Sequence, residues 1–229
     1  MLNIGFRYLG IFLALISFLS FLNILYSYYF NLYLNLNTYF YTFLFSVIFC
    51  LIFFKVKAGK TKPTIFNKIL TISVGYIFIP LILSIPFYFS IYNLTFLSAL
   101  FESVSGFTST GFSIFENIKH IDQSLIMWRS TTQWIGGLYF LFSIIFLIDI
   151  YDQSLKKSLT NFISFNNSEI LKQSVKIFIL YFTLTILIFI ILELIGIRSF
   201  NSLNLAMSLI SSGGFLPFND ISLIFNSDF

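Results

Sequence analysis

Thr108-Ser109-Thr110-Gly111 sets three hydroxyl side chains ahead of a glycine, just after a long apolar run. Ser211-Ser212-Gly213-Gly214 is a second stretch of similar kind. Such a turn can ligate rather than make bonds. A cation leaving water needs substitute oxygens, and a ring of backbone carbonyls supplies them. Gly111 suits that task because positive φ is cheap without a Cβ, so consecutive carbonyls can face one axis. The hydroxyls of Thr108, Ser109 and Thr110 add local hydrogen bonds or further oxygens. The first turn carries no charged residue, which fits a site that must release its ion as well as hold it.

Other chemistry is hard to build from this chain. No nucleophile–base–acid set, phosphate loop or pair of buried carboxylates emerges, so neither an enzyme nor a cofactor is expected. Cys50 is the single cysteine, which excludes an internal disulfide and a cysteine-based metal site. It reads as packed or lipid-facing. His120, the single histidine, lies in a predicted loop and reads as solvated.

The elements that must position the turns are membrane helices. The chain is 58% hydrophobic and 10% charged, with a mean hydropathy of +0.92, against about 25% charged residues in soluble domains. Tyr8 to Phe54 contains no charge. As one helix it would be roughly 70 Å long, against a hydrocarbon core of about 30 Å. The run must therefore fold back, and the stretch Asn31 to Asn37 is the place to turn. Two spans follow, 8–30 and 38–54, the first read as an uncleaved helix rather than a signal peptide. Further spans are predicted at 69–92, 124–148 and 172–197.

With five spans, Arg7, Lys55, Lys57, Lys60, Lys62, Lys68, Lys156, Lys157, Lys172 and Lys176 fall on one side of the membrane. Lys119, Arg129 and Arg198 fall on the other. An excess of Lys and Arg in short loops marks the cytoplasm. The expectation is a multi-pass protein of a plasma membrane or cell inner membrane, its N-terminus cytoplasmic. Topology accounts for the net charge of +4, and no nucleic-acid partner is expected. Glu102, Glu116, Asp122, Glu193, Asp220 and Asp228 gather near the outer face, and Glu102 reads as a solvated carboxylate.

Aligning Gly111-Phe112 with Gly214-Phe215 also lays Ser105 over Ser208, and each turn follows a span and a short helix, at 95–107 and 202–210. A helix over 95–107 would be about 20 Å long, too short to cross. If it dips into the membrane, its irregular end must border an aqueous path, and its negative C-terminus would favour a cation below. An extracellular loop with a surface helix and an ordinary glycine turn is the plain alternative. Successive units return the chain to its starting side, which predicts rotation about the membrane normal, with both turns at one depth near one axis. The fold class expected is an all-α, polytopic membrane protein of span–re-entrant pore helix–span repeats, truncated after the second pore loop. Its parts are two N-terminal transmembrane helices (1–54), a basic cytoplasmic loop (55–68), a first repeat (69–148), a cytoplasmic linker (149–171) and an incomplete second repeat (172–229).

"ALFESVSGFTSTGFS" (Ala99–Ser113) followed by "MWRSTTQWIGGLYF" (Met127–Phe140) resembles the Trk/Ktr potassium-uptake family, specifically its TrkH-like membrane subunits. The resemblance covers most of the chain. It implies four span–pore helix–span repeats around one pathway, each giving one strand of a selectivity filter for K+. Here the strands would be Thr108, Ser109, Thr110 and Gly111, then Ser211, Ser212, Gly213 and Gly214. It further implies potassium uptake, surrounding membrane lipid, a dimer of such subunits and a cytosolic nucleotide-binding regulatory partner. The chain departs from the pattern in lacking the third and fourth repeats and the third's gating segment, so it reads as a fragment of a larger subunit. The second turn, Ser-Ser-Gly-Gly, is more flexible than the first.

Arg129 reads either as snorkelling to the interface or as a tie that holds the adjacent pore loop, and the family motif favours the tie. Gly136 and Gly137 are expected to let helices pack closely. Two other functions fit the composition: a secondary transporter whose broken helices bind another solute near the midplane, and a membrane anchor that transports nothing.

Overall fold

Residues 3–56, 65–148 and 170–218 are described by the structure, a computed structural model. Among them the secondary structure is helical, without strands. Helices α1 (Asn3–Tyr29) and α2 (Leu36–Lys55) form an antiparallel pair. Their turn falls inside the asparagine-rich stretch for a physical reason. Asn31 takes φ +57°, and the Asn31 and Leu32 N–H groups donate back to the Tyr28 and Ser27 carbonyls at 3.3 and 2.8 Å. This is a left-handed helix cap, for which asparagine is well suited after glycine.

Next come α3 (Ile65–Leu83) and the single turn α4 (Ile85–Tyr88). Pro80 inside α3 and Pro86 at the start of α4 both lack the N–H a continuous helix would use. The chain then makes α5 (Phe96–Phe107), α6 (Gln123–Ile148), α7 (Ile170–Leu194) and α8 (Ser199–Ile210). The short helix of the second unit thus begins at 199 rather than 202, and the span before it ends at 194 rather than 197.

Four stretches of the described residues are long and apolar enough to cross a membrane: Arg7–Tyr29, Tyr33–Lys55, Phe66–Tyr88 and Val175–Leu194. The fifth expected span corresponds to α6, which is 26 residues long but not among these four. Its first half carries Arg129-Ser130-Thr131-Thr132-Gln133, and every one of these is buried in protein rather than turned to lipid. Much of the basic loop (57–64, with Lys57, Lys60 and Lys62), the linker 149–169 with Lys156 and Lys157, and 219–229 with Asp220 and Asp228 lie outside the described residues.

Lipid tails are as apolar as leucine, so apolar burial alone does little to join such helices. Small residues and polar ties do it, at about 0.6–2 kcal/mol for each interhelical hydrogen bond. Ser20 Oγ of α1 donates to the Tyr39 carbonyl of α2 at 2.7 Å. Asn23 Nδ2 donates to the Ser124 carbonyl at 3.2 Å, and Asn35 Nδ2 to Asp122 Oδ2 at 3.1 Å, which dock the hairpin against the start of α6. Trp128 Nε1 donates to the Leu83 carbonyl at 3.0 Å, where α3 gives way to α4. Trp134 Nε1 donates to Thr185 Oγ1 at 3.0 Å, and Tyr181 OH to the Trp134 carbonyl at 3.1 Å, which join α6 to α7. At the inner crossing, Tyr139 OH donates to the Ile72 carbonyl at 3.0 Å, and a side chain at Gly75 would overlap that phenol. Helix α6 is the common wall of the assembly.

Candidate functional site

Helix α5 starts at the loop side and ends inside the protein. Thr95 caps it, its Oγ1 accepting from Ser98 N–H at 3.2 Å, as expected of a threonine N-cap. Ser103 Oγ donates to the Pro80 carbonyl at 2.6 Å. One turn further on, the Phe107 ring lies 5.6 Å from Tyr76 and 5.3 Å from Tyr139, centroid to centroid. Tyr76 and Tyr139 stand midway along their own helices, so α5 ends inside the helix assembly, level with their middles. The surface-helix alternative does not describe it.

The bend that follows is a left-handed cap. Ser109 takes φ +56°, its N–H donates to Gly106 O at 2.9 Å, and Thr110 N–H donates to Ser105 O at 3.0 Å. At the matching places Ser212 takes φ +53°, its N–H donates to Leu209 O at 3.1 Å, and Gly213 N–H donates to Ser208 O at 2.8 Å. Both are the same motif, with serine in the position glycine usually fills. The register extends backwards: Asn93 (φ +50°) matches Gly196 (φ +98°), and Thr95 matches Arg198 as N-cap residue. The two units therefore share one backbone design from 93 to 109 and from 196 to 212.

Beyond that point the turns meet. A Cβ built on Gly111, which has φ +79°, would lie 2.6 Å from the Gly214 Cα and 3.0 Å from its nitrogen. A Cβ on Gly214 would lie 2.9 Å from the Gly111 Cα. Both glycines thus serve close backbone approach, and Gly111 also serves a left-handed conformation that other residues rarely adopt. Ser211 comes against Gly137, at the level where Gly136 meets Phe107. The turns accordingly sit at one depth, side by side.

Helix α6 holds both turns, one with each face. Residues four apart share a helix face. On one face a Cβ at Gly106 of α5 would overlap Thr132, and a Cβ at Gly136 would overlap the Phe107 carbonyl. On the other, Gly137 packs against Ser211, Gln133 reaches the second turn, and Arg129 lies above them. Gly136 and Gly137 each pack closely, one against either unit.

Arg129 is 1% exposed, so it does not snorkel to the interface. Its Nε donates to Glu102 Oε1 at 2.8 Å and its Nη2 to Ser113 Oγ at 2.9 Å. The guanidinium also stacks over the Phe215 ring of the second unit, 4.3 Å from its centroid. Glu102 corrects the sequence reading, because its carboxylate is fully buried rather than solvated. It accepts from Ile114 N–H at 2.9 Å as well as from Arg129. A charge survives such burial only when paired and hydrogen-bonded, and here the pair fixes the exit of the first turn. His120 is exposed, as expected.

Gln133 escaped the sequence reading although it stands inside the quoted motif. With its amide oriented by the hydrogen-bond network, Oε1 accepts from Gly214 N–H at 2.9 Å and Phe215 N–H at 2.8 Å. Its Nε2 donates to Ser208 Oγ at 3.1 Å, and that hydroxyl donates to the Gly213 carbonyl at 3.1 Å. The signal that could have found it is spacing: Arg129, Gln133 and Gly137 are each four residues apart.

Below the turns lies a cavity of about 590 Å³, lined by Thr108 and Ser109, Ser211 and Ser212, and Gly136 and Gly137. Both short helices end at it, so two sets of carbonyl ends and partial negative charges border one space. Among the described residues no cluster of His, Cys, Asp or Glu could hold a metal ion. The oxygens on offer are carbonyls and hydroxyls, suited to a weakly held monovalent cation.

Known proteins share this design. An uncharacterized cation transporter of Methanocaldococcus jannaschii is 31% identical over 157 residues, covering 62% of this chain and 31% of the relative. The Trk system potassium uptake protein TrkG of Escherichia coli is 44% identical over 46 residues, 20% of this chain and 10% of that protein. TrkI of Halomonas elongata, another Trk system potassium uptake protein, is 38% identical over 60 residues, 26% of this chain and 11% of that one. The crystal structure of the potassium transporter TrkH from Vibrio parahaemolyticus matches with a TM-score of 0.77 at 20% identity, covering 97% of this chain and 47% of that one. The fold is thus the same, and the chain spans under half the length of these proteins. A family model described as TrkH, cation transport protein, matches residues 33–225, and the chain belongs to the TrkH family.

Proposed function

We propose that the two turns are strands of a selectivity filter through which potassium crosses the membrane, with further repeats completing the ring. The carrying observation is the backbone contact of Gly111 with Gly214, above one cavity at which both short helices end. Thr108, Ser109, Thr110 and Gly111 line the path from the first repeat. Ser211, Ser212, Gly213 and Gly214 line it from the second. Potassium is the transported ion, bound at these residues, and conduction needs no organic cofactor. The ion trades its hydration shell for peptide and hydroxyl oxygens and moves from one such site to the next.

The placement of Lys55, Lys68 and Lys176 at one set of helix ends supports a cytoplasmic N-terminus in a plasma membrane or cell inner membrane. A homodimer, surrounding lipid and a cytosolic nucleotide-binding regulatory subunit belong to the same reading. The test is rubidium or potassium uptake in a host that lacks its own. Uptake above the empty-vector level, inhibited by potassium and weakened by Gly111→Ala, supports the filter. Uptake that Gly111→Ala leaves intact refutes it.

A further inference from the structure

We infer that Gln133 is a positioning residue for the second turn and sets how well the filter separates potassium from sodium; this rests on the reading of the turns as an ion site. The two turns keep their shape by different means. The first is held by its own unit. Thr110 Oγ1 donates to the Ser105 carbonyl at 3.1 Å, Thr108 and Thr110 share a hydrogen bond of 2.9 Å, and Ser105 Oγ donates to the Phe112 carbonyl at 2.5 Å. Glu102 then takes the Ile114 N–H at 2.9 Å.

The second unit has Ser211, Gly213 and Leu205 at the places of Thr108, Thr110 and Glu102. Ser211 Oγ donates to the Met207 carbonyl at 2.8 Å, as Thr108 Oγ1 does to Val104 O at 2.7 Å, but with glycine at 213 it meets no hydroxyl across the turn. Two adjacent glycines are the least restrained backbone a chain can offer. What restrains them here is a fully buried amide from the other unit, which takes two successive N–H groups and, through Ser208, steadies the Gly213 carbonyl.

The consequence for ions follows from peptide geometry. A trans peptide sets its carbonyl opposite its N–H. With the Phe215 N–H on Gln133, the Gly214 carbonyl must face away from α6. Gly214 is the residue that touches Gly111. The direction of its carbonyl therefore depends on a side chain that never meets the ion. A buried amide with only a structural role would change the amount of assembled protein, or the rate for every ion alike. A positioning role changes the ratio between ions.

The experiment expresses the chain together with the further repeats that complete its ring, in a host without potassium uptake, and measures rubidium entry against potassium and sodium as competitors, per unit of assembled protein. Gln133→Met keeps the length and removes the amide, leaving two N–H groups unmet, and is expected to lower the potassium-over-sodium preference by about tenfold or more. Gln133→Glu, held neutral by burial, keeps a carbonyl oxygen for both N–H groups and a hydroxyl for Ser208, and is expected to retain most of the preference. Gly213→Ala, whose Cβ would overlap the Gln133 amide, attacks the same contact from the other side and is expected to behave like Gln133→Met should that variant fail to assemble. A preference unchanged in Gln133→Met or in Gly213→Ala, or lost as fully in Gln133→Glu, overturns the inference. An unmodified chain with no potassium preference overturns the filter reading and this inference with it.

Discussion

Replacing Gly111 by alanine should damage the site in two separable ways, and Gly196 provides the control. At φ +79° an alanine sits in the left-handed region, at a cost of about 1–2 kcal/mol. Its Cβ would also stand 2.6 Å from the Gly214 Cα and 3.2 Å from its carbonyl carbon. These are backbone atoms and cannot rotate away. The turns must part by most of an ångström to reach ordinary contact at 3.4 Å or more. A shift of that size is comparable to the difference in size between alkali cations, so carbonyls set for one ion no longer close around it. Gly196 has φ +98°, and a Cβ there would meet nothing within 4 Å. Gly196→Ala thus carries the backbone strain without the contact. The expected result is a similar loss of thermal stability in detergent from the strain alone, with rubidium uptake per assembled protein kept in Gly196→Ala. In Gly111→Ala uptake should fall about ten- to a hundredfold, equivalent to about 1.4–2.8 kcal/mol. Equal effects of the two variants on uptake would refute the reasoning, because the contact between turns would then contribute nothing.

Three more outcomes are expected. Glu102→Leu or Arg129→Met alone leaves a buried charge unpaired and should cost about 3–5 kcal/mol; the double variant, which installs the leucine that the second unit carries as Leu205, should cost clearly less by thermal unfolding in detergent. Gly136→Ala puts a methyl into the Phe107 carbonyl, and should sharply reduce the yield of monodisperse protein. Ser109→Asn should be tolerated and Ser109→Val should not, because φ +56° admits asparagine and penalises β-branched residues; unfolding temperatures of the two variants check this.

Much of the fold could be read from the chain because its signals are local. The charge-free run from Tyr8 to Phe54 is too long for one crossing, and Asn31 marks the turn by the same property that ends α1 in the structure. The likeness of the two turns was legible because hydroxyls and glycines recur in order. The start of α8 was not, since Arg198 offers none of the usual N-cap oxygens. Glu102 was misread because its partner is 27 residues away on another helix, and a lone carboxylate on a short helix looks solvated until that helix is known to enter the protein. Gln133 was missed for a related reason. An uncharged amide leaves no trace in charge or hydropathy patterning, and its role exists only once two units lie against one helix.

That last feature bears on how such a molecule can change over generations. Duplicating a unit normally frees one copy to drift while the other keeps the job. Here one helix stretch, Arg129 to Gly137, serves both copies, with Arg129 touching each, so a change that shifts this helix to suit one turn is retained only if its sibling tolerates it. The two halves are bound to evolve as a pair.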